Sequence, residues 1–156
     1  MNAPYVLKKY EDDIVVNIIL CWMGAIGRSA YSGVTSPAYD VYAPQEGTNS
    51  KFYHYLFRTQ GFSGDCYKYG RGIMAMRWRT YSDQFRAIKV IAPPADEQER
   101  IVGFLDHQCA EIDSVIAKTK ETIEEYRKLK QSVITEAVTK GIRGNRPMKE
   151  SGIEWI

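Results

Sequence analysis

The chain has 156 residues, 44% of them hydrophobic and 26% charged, with a formal net charge of +2; it is about one domain long and ordinary in composition. It contains no apolar run of about 18 residues and no basic, apolar, small-residue order at its start, so neither a membrane span nor a signal peptide is expected and a cytoplasmic protein is. Three cysteines without CxxC spacing (Cys21, Cys66 and Cys109) predict reduced thiols, and His54 and His107 are too few to complete a metal centre, so no metal and no cofactor is expected.

"DIVVNIIL", residues 13–20, is β-branched and compact, and "AIGRSAY" and "SPAYDVYA" follow it with Gly24, Gly27, Gly33 and Pro37 as punctuation. This pattern predicts short strands in a buried sheet. "NSKFYHYLFRT", residues 49–59, predicts a helix with Phe52, Tyr55 and Leu56 on one face and Ser50 as its cap. Glycines at 61, 64, 70 and 72 are expected to break up the next segment of chain. "RWRTY" and "AIKVIAPP" predict short strands, with "SDQF" as a turn or single helical turn between them. The first 94 residues are thus expected to be mixed α and β.

After Pro93 and Pro94 the period changes. Asp96 is expected to cap a helix whose first turn carries Glu99. Val102, Leu105, Cys109, Ile112, Ile116, Thr119, Ile123, Tyr126, Lys130, Val133 and Ala137 then recur at alternating intervals of three and four, a heptad seam. Gly141 is expected to end the helix. Either one long helix, or a short one joined to a long one near residues 107–110, is predicted, and residues 96–140 would run for roughly 65 Å at 1.5 Å per residue. A domain of about 94 residues cannot bury so long a stripe, which calls for a partner helix. The fold class is therefore α+β: a globular domain at 1–94, a coiled-coil-like helical spacer at 95–140, and a linker at 141–156.

Charge divides along the same line. Residues 51–89 hold eight lysines and arginines against Asp65 and Asp83, a net +6, whereas residues 95–140 are net −3. One part can attract a polyanion and the other cannot. The densest stretch is "YKYGRGIMAMRWRTY", residues 67–81, where Lys68, Arg71, Arg77 and Arg79 interleave with Tyr67, Tyr69, Trp78 and Tyr81. Cations supply phosphate affinity, and an arginine fork can read guanine in the major groove. Alternation puts Arg77, Arg79 and Tyr81 on one face. Lys68, Tyr69, Arg71, Arg77, Arg79 and Tyr81 are accordingly the expected DNA-contacting residues, with solvated arginines beside core aromatics as the plainer alternative.

Catalytic patterns are sparse. "WMGAIG", residues 22–27, lacks the GxGxxG and GxxxxGK[ST] patterns and predicts a tight turn before the next strand. Ser36 has no histidine and acid at triad spacing, and Asp12 and Asp13 lack the accompanying D…ExK arrangement of a magnesium nuclease. No enzyme is expected.

The stretch "PPADEQERIVGFLDHQCAEIDSVIAKTKETIEEYRKLKQSVITEAVTKG" resembles the helical region of the DNA-specificity (S) subunits of type I restriction-modification systems, and "MKESGIEWI", residues 148–156, resembles the opening of their next repeat. Upstream, "DIVVNIILCWMGAIGRSAYSGVTSPAYDVYAP" and "YKYGRGIMAMRWRTYSDQFRAIKVIAPP" resemble the later portion of a target recognition domain. The resemblance implies a non-catalytic half-subunit whose globular part, incomplete at its N-terminus, reads half of a bipartite double-stranded DNA target. Its helix would act as a spacer that docks the methyltransferase subunits and, through them, the restriction subunits. Val102, Leu105, Cys109, Ile112, Ile116, Ile123, Tyr126, Val133 and Ala137 would form the helix-partner seam, for self-association or for pairing with a second S-type half. The alternative is a coiled-coil assembly protein with a head that does not bind DNA.

Overall fold

Short β-branched stretches build the first part of the chain, in a computed structural model that describes residues 7–73, 78–142, 150 and 152–153. Five strands come first: β1 (Leu7–Lys9), β2 (Ile14–Asn17), β3 (Ile26–Arg28), β4 (Gly33–Thr35) and β5 (Tyr39–Tyr42). β2 is the centre of a three-stranded antiparallel sheet in the order β3-β2-β5, with Val16 opposite Ile26 on one side and Asp40 on the other. β1 and β4 form a separate antiparallel pair. Along β2, Ile14 and Val16 are buried and Val15 between them is half-exposed, the alternation of a sheet with one covered face.

The strand predicted over residues 13–20 stops at Asn17. The Asn17 side-chain oxygen accepts from the Ile19 and Leu20 amides at 2.9 and 3.1 Å, turning the chain out of the ladder. A 3-10 helix at Cys21–Met23 follows, closed by Gly24 at φ 81°, a left-handed conformation that glycine adopts without strain. "WMGAIG" is therefore a capped turn leading into β3.

Three helices cover the sheet: α1 (Ser50–Phe57), α2 (Gln60–Tyr69) and α3 (Ser82–Ala87). The cap of α1 is Asn49 and not Ser50: the Asn49 side-chain oxygen accepts from the Lys51 and Phe52 amides. Ser50 instead takes a hydrogen bond from Arg28 Nε at 3.2 Å. α2 forms although Gly61 and Gly64 were expected to break it. Phe62 and Cys66, one turn apart, bury one face, and both glycines lie where an added Cβ would meet open space, so their cost is the propensity loss of about 1 kcal/mol each. Ile14, Val16, Cys21, Ile26, Phe62, Cys66, Phe85 and Ile88 make the core, with Trp22, Tyr42 and Phe57 packed against it. Phe57 packs on the Phe62 ring at 4.5 Å and on Phe85 at 5.6 Å, joining the three helices through aromatic edges.

Two expected strands are absent among the described residues. "RWRTY" contributes only an isolated antiparallel bridge, Arg79 to Arg71, and residues 89–94 form no regular element among the described residues. Ile88 is buried but Val90 and Ile91 are both exposed, so the segment lacks the alternating covered face of a strand.

Helix α4 runs unbroken over Ala95–Lys140, with no interruption near residues 107–110. Asp96 lies in its first turn and not at its cap: the Pro94 carbonyl accepts from the Glu97 and Gln98 amides, and Asp96 pairs with Arg100. Gly141, at φ 79°, follows the last turn. The chain divides into two compact units, Met1–Leu105 and Asp106–Ile156, a division that falls inside α4. The first turns of α4 belong to the first unit because they bury Val102 and Gln98. Gln98, 3% exposed, accepts from the Asn49 amide at 2.9 Å and donates to the Pro93 carbonyl at 2.8 Å, and so ties the loop before α1 to the chain entering α4. The architecture is mixed α and β followed by a long C-terminal helix, and among the described residues no helix is long and apolar enough to cross a membrane.

Candidate nucleic-acid interface

The basic, aromatic stretch is shaped by one close approach. α2 ends at Tyr69, and the Gly70 amide donates to the Cys66 carbonyl at 3.0 Å. Trp78 stacks on Tyr67 with ring centres 4.8 Å apart and donates from Nε1 to the Tyr67 carbonyl at 3.0 Å, which brings the indole onto Gly70. A Cβ at position 70 would lie 2.5 Å from Trp78 Nε1 and 2.9 Å from the Cys66 carbonyl oxygen, so only glycine fits. Next to this contact Thr80 is fully buried, donating from Oγ1 to the Cys66 carbonyl at 3.0 Å and from its amide to the Ile18 carbonyl at 2.8 Å.

With Trp78 and Thr80 turned inward, Arg79 and Tyr81 take the other face. Arg71 and Arg79 exchange two backbone hydrogen bonds, at 2.9 and 3.0 Å, and residues paired in this way share a face. The Arg71 guanidinium lies 5.7 Å from the centre of the Tyr81 ring, and Lys68 Nζ lies 5.9 Å from the centre of the Tyr69 ring. Of the six residues expected to contact DNA, Arg71, Arg79 and Tyr81 are brought together by the bridge, and Lys68 and Tyr69 stand exposed at the end of α2. Arg77 lies outside the described residues.

Two features of this face were not legible in the sequence. Asp83, in the first turn of α3, pairs with Arg71 at 3.5 Å with both side chains largely exposed, and so partly neutralises it. Arg79 is half-buried, and its Nη1 is buried with no hydrogen-bond partner among the described residues. A buried cationic donor without an acceptor is costly.

The +6 of residues 51–89 also divides in space. Lys51, Arg58 and Arg28 surround His54, whose Nδ1 accepts from the Arg28 amide at 3.1 Å. Burial, followed by the repulsion of those three cations, holds the His54 imidazole below its ordinary range, so the ring is neutral at pH 7. Arg28 is tied to Asp12 by an ion pair, and Arg58 donates to the Ile26 carbonyl at 3.3 Å, which makes this cluster a support for β3. Arg86, the basic residue of α3, lies 5.8 Å from the Tyr42 ring.

The residues singled out for other chemistry have structural partners. Asp13 is buried and accepts from the Tyr10 amide at 2.7 Å, and Ser36 accepts from the Ala38 amide at 3.3 Å. Among the described residues no three His, Cys, Asp or Glu side chains converge as a metal site requires. All nine seam residues lie on α4. Val102 is buried and Leu105 half-buried in the first unit; in the second, Cys109, Ile112, Ile116, Ile123, Tyr126 and Val133 are exposed and Ala137 is half-exposed. No protein-family model, curated protein or solved structure matches the chain.

Proposed function

We propose that the chain is a non-catalytic, sequence-specific DNA-recognition module: a cytoplasmic half-subunit of the kind that gives type I restriction-modification complexes their specificity. The observation that carries this reading is the Arg71–Arg79 bridge, which aligns two arginines and Tyr81 on one face. Arg71, exposed and already paired with Asp83, suits a phosphate contact that exchanges one anion for another. Arg79, half-buried beside it, suits the directional hydrogen bonds of base reading. The exposed stripe of residues 106–140 supports the second half of the reading, in which α4 packs against a helix of a second S-type half or of another copy and docks methyltransferase subunits and, through them, restriction subunits.

Fluorescence anisotropy of labelled mixed-sequence duplex tests the DNA reading. Binding is expected at low salt and is expected to weaken steeply as salt rises. Arg71→Ala should flatten the dependence of log affinity on log salt by about one phosphate contact, whereas Arg79→Ala should relax sequence preference in duplexes selected from a random pool. No binding at low salt, or binding indifferent to both substitutions, rules the reading out. The exposed stripe of α4 also favours a coiled-coil assembly protein with a head that ignores DNA, and the same measurement separates the two.

A further inference from the structure

We propose that Cys21 and Cys66 are a redox site, at which an oxidant of the peroxide class joins the two thiols in a disulfide that ties the 3-10 helix to α2. The two residues are 45 positions apart in the chain, both are 0% exposed, and a thiol–thiol hydrogen bond holds their sulfurs 3.0 Å apart. A disulfide needs a sulfur separation of about 2.05 Å, so an approach of roughly 1 Å closes the bond. Two elements distant in sequence would be joined across a long loop, the arrangement in which a crosslink restricts the unfolded chain most.

Reactivity follows from the surroundings. The hydrogen bond to Cys21, and then burial, hold the Cys66 thiol far above its ordinary range, so in the closed core it stays protonated and reacts slowly. Oxidation then proceeds through local opening of α2. Hydrogen peroxide converts one thiol to a sulfenic acid and releases one water. The sulfur of the other thiol attacks the sulfenic sulfur, the S–S bond forms, and the displaced hydroxyl leaves with the thiol proton as a second water. Two thiols are oxidised by two electrons and one peroxide is reduced.

The bond would act on its neighbours as well as on itself. The Cys66 carbonyl holds both the Gly70 amide and the Thr80 hydroxyl, and Thr80 adjoins Arg79 of the bridge. Fixing Cys66 therefore fixes the backbone on which Arg71 and Arg79 are paired. This inference does not depend on what that face binds.

The test uses the full chain carrying Cys109→Ser, which removes the exposed third thiol on α4 and leaves the core untouched. Treated with hydrogen peroxide, it is expected to lose both free thiols and two hydrogens of mass, and to yield a linked Cys21–Cys66 peptide that a dithiol reductant separates. Closure should be faster in sub-denaturing urea. The oxidised chain should melt several degrees higher than the reduced one, with slower hydrogen exchange at the Arg71, Arg79 and Thr80 amides. Oxygen added separately to Cys21 or Cys66 without a linked peptide overturns the proposal, as do two thiols that remain free after the chain has been unfolded and refolded under peroxide. A Cys66→Ala chain checks the assignment, because its Cys21 is expected to gain oxygen and form no internal link.

Discussion

Helix α2 and residues 106–140 of α4 are held in opposite ways. α2 has ten residues, two of them glycines inside the helix, and is too short and too poor in propensity to persist alone. Phe62 and Cys66, sealed into the core, hold it. Residues 106–140 contain no glycine or proline and carry one-turn ion pairs such as Glu124–Arg127 and Glu136–Lys140. Their apolar side chains remain open, with Ile123 47% and Tyr126 67% exposed. A helix sustained by its own backbone preferences can leave an apolar stripe for another molecule, whereas a helix sustained by packing has committed its apolar face to the fold.

The largest effect that tests this contrast comes from truncating matched apolar residues on the two helices. Phe62→Ala is expected to cost about 3–5 kcal/mol in urea denaturation, and Ile123→Ala, measured at concentrations that keep the chain monomeric, to stay within about 0.5 kcal/mol. Equal costs would break the comparison. Sedimentation sharpens the other side of it: at tens of micromolar, where association through the α4 seam is expected, Ile123→Asp should shift the chain toward monomer and leave the head's circular dichroism unchanged.

Smaller effects probe how the first unit holds its candidate interface. Gly70→Ala should cost about 1–3 kcal/mol in thermal or urea unfolding, because its methyl group would meet the Trp78 indole and the Cys66 carbonyl. Asn49→Ala removes the cap of α1 and should cost about 1 kcal/mol. A Gly70→Ala chain as stable as the parent would show that Trp78 does not sit on the end of α2.

The smallest effect is that of pH. His54 titrates below its unfolded value of 6.5, so as pH falls through 6.5 the unfolded chain takes up a proton before the folded one does. Its contribution to stability is present in full above pH 6.5 and is lost as pH falls from there toward the lower folded value. His54→Gln should remove that part of the pH dependence in urea titrations at about pH 7.5 and about pH 5.5, on either side of the transition. An unchanged slope would mean that the ring is not held neutral by burial beside Arg28, Arg58 and Lys51.

Local information was enough for much of this protein. The heptad spacing from Val102 onward, with Gly141 beyond it, marked α4, and the β-branched run around Val16 marked the central strand, because period and punctuation are properties of a few neighbouring residues. Alternation in "RWRTY" also put Arg79 and Tyr81 on one face. The remainder depended on contacts between distant residues. α2 survives its glycines only because Phe62 and Cys66 find a core, and "AIKVIAPP" is no strand because Val90 and Ile91 find nothing to cover them. Asp83 reaches Arg71, Trp78 claims the space above Gly70, and Cys21 meets Cys66 only when the chain has folded. Spacing along the sequence records which residues can share a face; which atoms meet across the molecule is decided by packing, and both the unpartnered Arg79 nitrogen and the buried thiol pair are products of packing.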